Sequence, residues 1–229
     1  MNPEPLVWLF DVDGTLLLTE GAGRLAIAAA LRERFGVDDD LAHVPMAGRT
    51  DPLIVADAMR AHGLAFDGEG ARTAFWDSVL ANMRRLMTPP RGGLLPGVAE
   101  TIERAGAVPS WTRALLTGNV REMARIKLGA FGLWEPFAFG TFGDEAADRD
   151  ALAVVAVSRA AERCGVPPAR CIVVGDTELD IACARAAGAR AVAVATGGRP
   201  RALLARHEPD LLLDDLRQAD ALFEWAAGL

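Results

Sequence analysis

Four carboxylates and one hydroxyl follow or end three short apolar runs of this sequence. Asp11 and Asp13 follow the first run, Thr117 ends the second, and Asp176 and Asp180 follow the third. Because the carboxyl ends of parallel strands share one edge of an open α/β sheet, we expect these groups to meet there. Clustered carboxylates repel one another unless a cation is bound or a pKa is raised, so the pattern indicates a functional site rather than chance turns.

The chemistry that suits this cluster is phosphoryl transfer, which depends mainly on positioning and charge neutralisation. A carboxylate such as Asp11 can attack phosphorus and form an acyl phosphate. A few carboxylates completed by water are typical ligands of Mg²⁺. Backbone N–H groups after Asp11, together with the Thr117 hydroxyl and the Gly118 N–H, are suited to hold phosphate oxygens.

The elements that position these groups are predicted from the apolar pattern. Short apolar runs that end at turn signals predict buried strands at 6–10, 114–116, 171–174, 191–195 and 211–213, with a weaker one at 137–139. Helical spacing predicts helices at 98–104, 121–130, 151–163, 181–187 and 201–206. Alternating strands and helices are typical of a doubly wound, Rossmann-like α/β fold with a parallel sheet.

One long segment, 20–91, interrupts this alternation. It has helical patterns at 23–35, 51–62 and 71–87 and no convincing strand. A segment of this length is too long for an ordinary loop. We therefore predict an all-helical domain at 20–91, inserted into a core domain formed by 1–19 and 92–229.

Composition limits the partners of the chain. Its 229 residues carry a net charge of -7, which argues against a nucleic-acid or anionic-membrane surface and favours a divalent cation wherever phosphate is handled. The three cysteines show no metal-binding or redox spacing. The opening Asn2-Pro3-Glu4-Pro5 lacks the basic region of a signal peptide, and no apolar run approaches the roughly 18 residues of a membrane span. We expect a cytoplasmic protein.

Three motifs resemble those of the haloacid dehalogenase-like hydrolase superfamily. Residues 10–16 read Phe-Asp-Val-Asp-Gly-Thr-Leu and match its first motif at every position. Residues 115–119 read Leu-Leu-Thr-Gly-Asn and resemble the second, and residues 174–180 read Val-Gly-Asp-Thr-Glu-Leu-Asp and resemble the fourth. The insert is similar to the helical, C1-type cap of the phosphatase branch, which includes phosphoglycolate phosphatases. The resemblance implies a Mg²⁺-dependent phosphatase acting on a small-molecule phosphate ester.

The resemblance also implies roles for the first motif. Asp11 is the expected nucleophile and a metal ligand, and the expected product of its attack is an aspartyl phosphate. Asp13 is the expected general acid and base, with its backbone carbonyl toward the metal. Dehalogenases carry tyrosine at the position of Asp13 and phosphonate-cleaving relatives carry a small residue. Aspartate there favours a phosphatase or a phosphomutase, because an oxygen leaving group needs a proton.

The other two motifs supply the expected ligands of phosphate and metal. Thr117, Gly118 and Asn119 are expected to bind the phosphoryl oxygens. Asp176 is expected to bind Mg²⁺, directly or through water, and Asp180 to support that site.

The cation that balances Asp11 is not marked by a motif. Many relatives have a lysine before a Pro-rich stretch, but residues 143–150 here read Gly-Asp-Glu-Ala-Ala-Asp-Arg-Asp. We assign the role to Arg149, since arginine can hold phosphate in a bidentate manner. Lys127, the one lysine of the chain, competes for it. Lys127 lies eight residues past Asn119, about two helical turns, which favours a structural role.

The cap and the reaction leave alternatives open. The Gly48-Arg49-Thr50-Asp51 segment resembles the cap loop that reaches the phosphate site, so Arg49 is a candidate contact for an anionic substrate. A phosphomutase similar to β-phosphoglucomutase is the alternative enzyme. A non-enzymatic phospho-acceptor, resembling a receiver domain, or a binding domain is the alternative outside catalysis.

Overall fold

A parallel β-sheet forms the centre of the molecule. The computed structural model describes residues 4–229, so Asn2 and Pro3 lie outside it. The strands within this range are β1 (Leu6–Phe10), β2 (Leu17–Leu18), β3 (Gly93–Leu94), β4 (Trp111–Thr117), β5 (Phe139–Phe142), β6 (Cys171–Gly175), β7 (Arg190–Val194) and β8 (Leu211–Leu213). Six of them form a parallel sheet in the order β5-β4-β1-β6-β7-β8, which confirms the doubly wound α/β fold.

Helices cover both faces of the sheet. The helices within residues 4–229 are α1 (Ala22–Phe35), α2 (Asp51–Ala61), α3 (Gly68–Leu86), α4 (Val98–Ala107), α5 (Arg121–Ala130), α6 (Arg149–Cys164), α7 (Glu178–Ala186), α8 (Arg201–Arg206) and α9 (Ala219–Ala227). Every residue of β1 is buried. Alternate side chains of β1 therefore pack on opposite faces, with Trp8 and Phe10 toward α4, α5 and α9, and Val7 and Leu9 toward α6, α7 and α8.

The three helices α1, α2 and α3 occupy the interruption between β2 and β3, as the sequence predicts for this segment. They share an apolar core of their own, to which Ile27, Val55 and Phe75 belong, and Met123 of α5 packs against it. The chain leaves and re-enters the sheet region side by side, because β2 and β3 pair as antiparallel strands with Leu17 opposite Leu94.

Several element boundaries differ from the sequence prediction. β5 spans Phe139–Phe142, whereas the sequence predicts a strand at 137–139. Gly140 resembles a turn signal, so the predicted strand ends before Gly140 although this residue lies within β5. α7 begins three residues earlier than predicted, since Thr177 and Asp180 form a capping box at its start. Neither the β2–β3 pair nor α9 was among the predicted elements. No helix in residues 4–229 has the length and apolar character that a membrane crossing requires.

Candidate active site

Three neighbouring strands bring the predicted site residues to one edge of the sheet. β1 lies between β4 and β6, and Phe10 is aligned with Leu115 on one side and with Val174 on the other. Asp11 therefore follows the central strand, and its backbone N–H donates to the Val174 carbonyl at 2.9 Å. Thr117 lies at the end of β4 and Asp176 directly after β6. The expected meeting of the three motifs is what the fold produces.

Arg149 lies against Asp11, at the start of α6. Its Nη2 is 3.2 Å from Asp11 Oδ1, and it also forms an ion pair with Asp180. Burial lowers the pKa of Arg149, but the charges of Asp180 and Asp11 outweigh it and hold the pKa well above its ordinary value. The buried Nε of Arg149 has no hydrogen-bond partner among residues 4–229. This nitrogen of a permanently charged guanidinium is therefore a buried donor that the described residues leave unsatisfied.

Asp180 has two structural tasks besides its place near the metal candidates. Its Oδ1 pairs with Arg149, and its Oδ2 accepts hydrogen bonds from the Thr177 backbone N–H at 3.0 Å and from the Thr177 hydroxyl at 2.7 Å. The capping box that starts α7 therefore also fixes the arginine that faces Asp11.

Asp11, Asp176 and Asp180 form a group suited to a cation. One carboxylate oxygen from each lies within 4.8 Å of the others. Burial raises the pKa of Asp11, with Arg149 opposing the shift, and burial followed by the charges of Asp180 and Asp11 raises the pKa of Asp176. A divalent cation would relieve this repulsion, and an all-oxygen donor set fits Mg²⁺.

The turn after β1 lies close to Asp176. The Thr15 hydroxyl donates to Asp176 Oδ1 at 3.2 Å. Gly14 has a left-handed backbone (φ of 80°), and a Cβ there would lie 2.5 Å from Asp176 Oδ2. Only glycine at this position lets the first-motif turn approach the Asp176 carboxylate so closely.

Asp13 faces a second cation, Lys127. Lys127 Nζ donates to Asp13 Oδ2 at 2.6 Å and to Asn119 Oδ1 at 2.5 Å, and the Asn119 amide donates to Asp13 Oδ2 at 2.7 Å. Lys127 is almost fully buried, whereas 43% of the Asp13 side chain is exposed. The Asp13 carboxylate is therefore fixed by two donors and still open to a ligand.

This arrangement differs from the sequence interpretation at two residues. The sequence favours a structural role for Lys127, yet the structure places its ammonium group in the site. The resemblance assigns Asn119 to the phosphate, whereas its side-chain amide donates to Asp13 and to Thr117 Oγ1 at 2.9 Å. Helical side chains point back toward the helix N-terminus, which lets a long lysine in α5 reach the loop before the helix. That the chain retains a single lysine was the signal available in the sequence.

The loop before α2 closes one side of the site. The backbone N–H of Asp51 donates to the Gly118 carbonyl at 2.7 Å, and Asp51 Oδ2 accepts from the Val120 N–H at 2.8 Å. A Cβ at Gly118 would overlap the Arg49 carbonyl. The sequence indicated this loop through Arg49 but gave no role to Asp51, whose hydrogen bonds join segments 69 residues apart.

Many of these residues line one cavity of about 490 Å³. Asp11, Asp13, Asp176, Arg149 and Lys127 line it from the sheet side. The helical segment supplies the facing wall, which includes Arg24, Ile27, Met46, Arg49, Asp51 and Ile54. Arg49 is not free, since its Nη1 is 2.5 Å from Asp57 Oδ2.

Family models and curated relatives show which family the chain belongs to. The model of the haloacid dehalogenase-like hydrolases matches residues 8–185, and an HAD-hydrolase-like model matches residues 152–219. The chain belongs to the haloacid dehalogenase-like hydrolases. A phosphoglycolate phosphatase of Xanthomonas campestris pv. campestris (strain 8004) is 32% identical over 85% of each chain. One of Agrobacterium fabrum (strain C58 / ATCC 33970) is 30% identical over 98% of this chain and 96% of its own.

Solved structures support the same fold. A predicted phosphoglycolate phosphatase from Haemophilus somnus 129pt superposes with a TM-score of 0.73 at 21% identity, covering 96% of this chain and 98% of its own. With the family and these relatives, the chain is a phosphatase enzyme of the haloacid dehalogenase-like hydrolases, similar to phosphoglycolate phosphatases.

Proposed function

We propose that this haloacid dehalogenase-like hydrolase is a Mg²⁺-dependent phosphomonoesterase that forms an aspartyl phosphate on Asp11. The observation that carries the proposal is the environment of Asp11 at the end of the central strand. Its carboxylate lies 3.2 Å from Arg149 and within 4.8 Å of Asp176, beside a cavity large enough for a small phosphate ester. A nucleophile, its counter-charge and an oxygen ligand for a cation thus lie close together.

The reaction uses Asp11 and Asp13 in two steps. In the first, Asp11 Oδ attacks phosphorus, the ester P–O bond breaks, and the leaving oxygen takes a proton from Asp13. In the second, the Asp13 carboxylate takes a proton from water as that water attacks the phosphorus. The bond between phosphorus and Asp11 then breaks, which releases inorganic phosphate and regenerates both carboxyl groups. Lys127 and Asn119 keep Asp13 oriented toward the leaving oxygen.

Phosphate and metal are held by the other motif residues. We assign the phosphoryl oxygens to the Thr117 hydroxyl, the Gly118 N–H and Arg149, with the Asn119 side-chain amide holding the Thr117 hydroxyl. Asp11, Asp176 and the backbone carbonyl of Asp13 would hold Mg²⁺, with Asp180 supporting the site through Arg149. When bound, Mg²⁺ supplies positive charge that stabilises the transferring phosphoryl group.

The substrate is a small phosphorylated metabolite of the kind named by the phosphoglycolate phosphatase relatives, hydrolysed in the cytoplasm. We propose that residues 20–91 form the cap domain over residues 1–19 and 92–229, and that the cap sets specificity. Arg49, held by Asp57, presents its guanidinium to the substrate from the cap loop.

The test is release of inorganic phosphate from a panel of phosphorylated metabolites, with Mg²⁺ and with chelator. We expect release only with Mg²⁺, and a loss of at least about 10³-fold in Asp11→Asn. Asp38→Asn, which alters an exposed carboxylate, is the matched control and should leave release unchanged. Activity that survives Asp11→Asn or chelation contradicts the mechanism. An isomerised phosphosugar without net phosphate release would point to the phosphomutase instead.

A further inference from the structure

The cationic side chains that line the cavity differ in whether they already have a partner. Three of the four are paired with carboxylates: Arg149 with Asp11, Lys127 with Asp13, and Arg49 with Asp57. The fourth, Arg24, forms no hydrogen bond, ion pair or ring contact with any residue of 4–229. Arg24 is nevertheless partly buried and lines the same cavity. A half-buried charge without a partner is unfavourable unless a ligand supplies one.

Arg24 is held in place by the helix that carries it. It is the third residue of α1, which begins after Gly21 and packs its Ala26, Ile27 and Leu31 side chains into the apolar core of the helical segment. Gly23, Arg24 and Ile27 all line the cavity. The backbone position of Arg24 is therefore set by a packed helix rather than by a loop.

The first turn of α1 lies on the leaving-group side of the cavity. A Cβ at Gly23 would be 3.5 Å from Lys127 Nζ, and that Nζ is 2.6 Å from Asp13 Oδ2. Asp13 is the residue proposed to protonate the leaving oxygen, so the leaving group must lie beside it. Arg24 follows Gly23 with its Cα only about 3.8 Å farther along the chain, within reach of that group.

We infer that Arg24 forms an anion-binding subsite for the leaving group, so that the enzyme acts on small phosphate monoesters that carry a second anionic group. The inference rests on the proposed function and names its substrate class. A planar guanidinium binds a carboxylate or a second phosphate through paired hydrogen bonds. Apolar Ile27, Met46 and Ile54 line the same cavity and limit competition from water.

The experiment compares two esters that differ in one group. 2-Phosphoglycolate carries a carboxylate where 2-hydroxyethyl phosphate carries a neutral hydroxymethyl group. For Arg24→Gln we expect kcat/KM to fall about 10- to 100-fold with 2-phosphoglycolate, mainly through KM, and less than about threefold with 2-hydroxyethyl phosphate. Arg24→Lys should restore part of the loss. Arg34→Gln removes an exposed charge from the same helix and should leave kcat/KM unchanged for both esters.

A second pair of esters identifies the anion. Propane-1,3-diol bisphosphate is compared with propane-1,3-diol monophosphate in the wild type and in Arg24→Gln. If Arg24→Gln lowers kcat/KM more for the bisphosphate than for 2-phosphoglycolate, the subsite is assigned to phosphate. If the loss is larger for 2-phosphoglycolate, the subsite is assigned to carboxylate. The inference is overturned if Arg24→Gln lowers kcat/KM equally for the anionic and the neutral esters, or if it lowers kcat/KM for neither anionic ester.

Binding separates this inference from the proposed function. Calorimetric titration of 2-phosphoglycolate and of 2-hydroxyethyl phosphate is carried out on Asp11→Asn, with and without Arg24→Gln. A preference for 2-phosphoglycolate that disappears with Arg24→Gln supports the subsite even if the wild type releases no phosphate. Phosphate release that is equally efficient for both esters in wild type and Arg24→Gln would keep the phosphatase and reject the subsite.

Discussion

The two walls of the cavity differ in how their charges are used. On the sheet wall each cation is bound by carboxylates, as Arg149 is by Asp11 and Asp180 and Lys127 is by Asp13. On the helical wall Arg49 is paired with Asp57, but Arg24 has no partner among the described residues. The sheet wall is thus organised before any ligand binds, as electrostatic catalysis requires. The helical wall leaves a charge for the ligand to meet, as recognition requires.

The difference follows from how each wall is built. The sheet wall combines the ends of three strands whose register is fixed by the parallel ladder, with β1 paired on both sides. The helical wall consists of the first two turns of α1, the loop before α2 and the start of α2. A rigid sheet edge holds several mutually repelling carboxylates in contact, whereas helix ends and loops can vary without disturbing them.

The largest effect should come from breaking the sheet wall at Arg149. Arg149→Met leaves Asp11 and Asp180 buried without their counter-charge. We expect the free energy of unfolding to fall by about 3–5 kcal/mol at pH 7 and kcat to fall about 10²- to 10³-fold. Urea denaturation and phosphate release check the two values.

The matched control for this change is on the same helix. Arg159 lies on α6 and pairs with Glu145 and with the Gly140 carbonyl, away from the site, so Arg159→Met should cost less stability than Arg149→Met and leave kcat unaltered. Arg149→Lys keeps the charge and should recover part of both losses. Equal effects of Arg149→Met and Arg159→Met would show that the sheet wall is not organised around Arg149.

An intermediate effect is expected at Lys127, which belongs to the sheet wall but faces the helical one. Lys127→Met removes a donor from Asp13 while Asn119 still holds it. We expect kcat to fall about 10-fold with KM changed less than about twofold, because the lysine positions Asp13 rather than the substrate. Steady-state kinetics with 2-phosphoglycolate measure the two parameters separately.

Two variants of α5 distinguish position from charge alone. Lys127→Arg should recover part of kcat. Arg125→Met, on the same helix at an exposed position, should leave both parameters as in the wild type. A rise in KM with unchanged kcat in Lys127→Met would instead place the lysine among the substrate contacts, and the contrast between the walls would weaken.

A different effect, on the pH dependence of stability, should appear where the walls meet, at Asp51. Burial raises the pKa of Asp51 from 3.8 to about 6, with Lys127 and the Val120 N–H opposing the shift. A raised carboxyl pKa means that the folded state binds the proton more tightly. Protonation of Asp51 therefore stabilises the folded state. This stabilisation is complete below about pH 4 and is lost as the pH rises through about 6.

Asp51→Asn cannot titrate and keeps a side-chain oxygen for the Val120 N–H. The free energy of unfolding of the wild type should therefore fall relative to that of Asp51→Asn by about 1–3 kcal/mol between pH 4 and pH 6. Above pH 6 the curves of the two proteins against pH should run parallel. Urea denaturation of both proteins at four pH values gives the difference. Parallel curves over the whole range would mean that Asp51 is not buried between the walls.

The regular elements show which local signals suffice. The sequence predicts β1, β8, α5 and α8 with the boundaries that the structure has, because each is a short apolar or amphipathic run between turn signals. β5 is shifted because its glycine resembles a turn. The β2–β3 pair carries no local signal at all, since each strand has two residues and its partner lies about 75 positions away.

The residues of the site could also be predicted only in part from local signals. The motif residues Asp11, Asp13, Thr117 and Asp176 could be found from the sequence, because each ends a strand or lies within three residues of its end and parallel strands end at one edge. Assigning Arg149 to Asp11 agrees with their 3.2 Å separation, although the sequence had no way to show that Asp180 shares the same guanidinium.

The sequence by itself determined the strand ends that collect carboxylates, and with them the family, the α/β fold and the class of chemistry. Only the tertiary structure decided which cation meets which carboxylate. Lys127 reaches Asp13 across 114 positions, Arg49 is taken by Asp57, and Arg24 is left without a partner among the described residues. Ion pairs depend on distances of a few ångströms between segments far apart in the chain, and residue spacing along the sequence does not contain those distances.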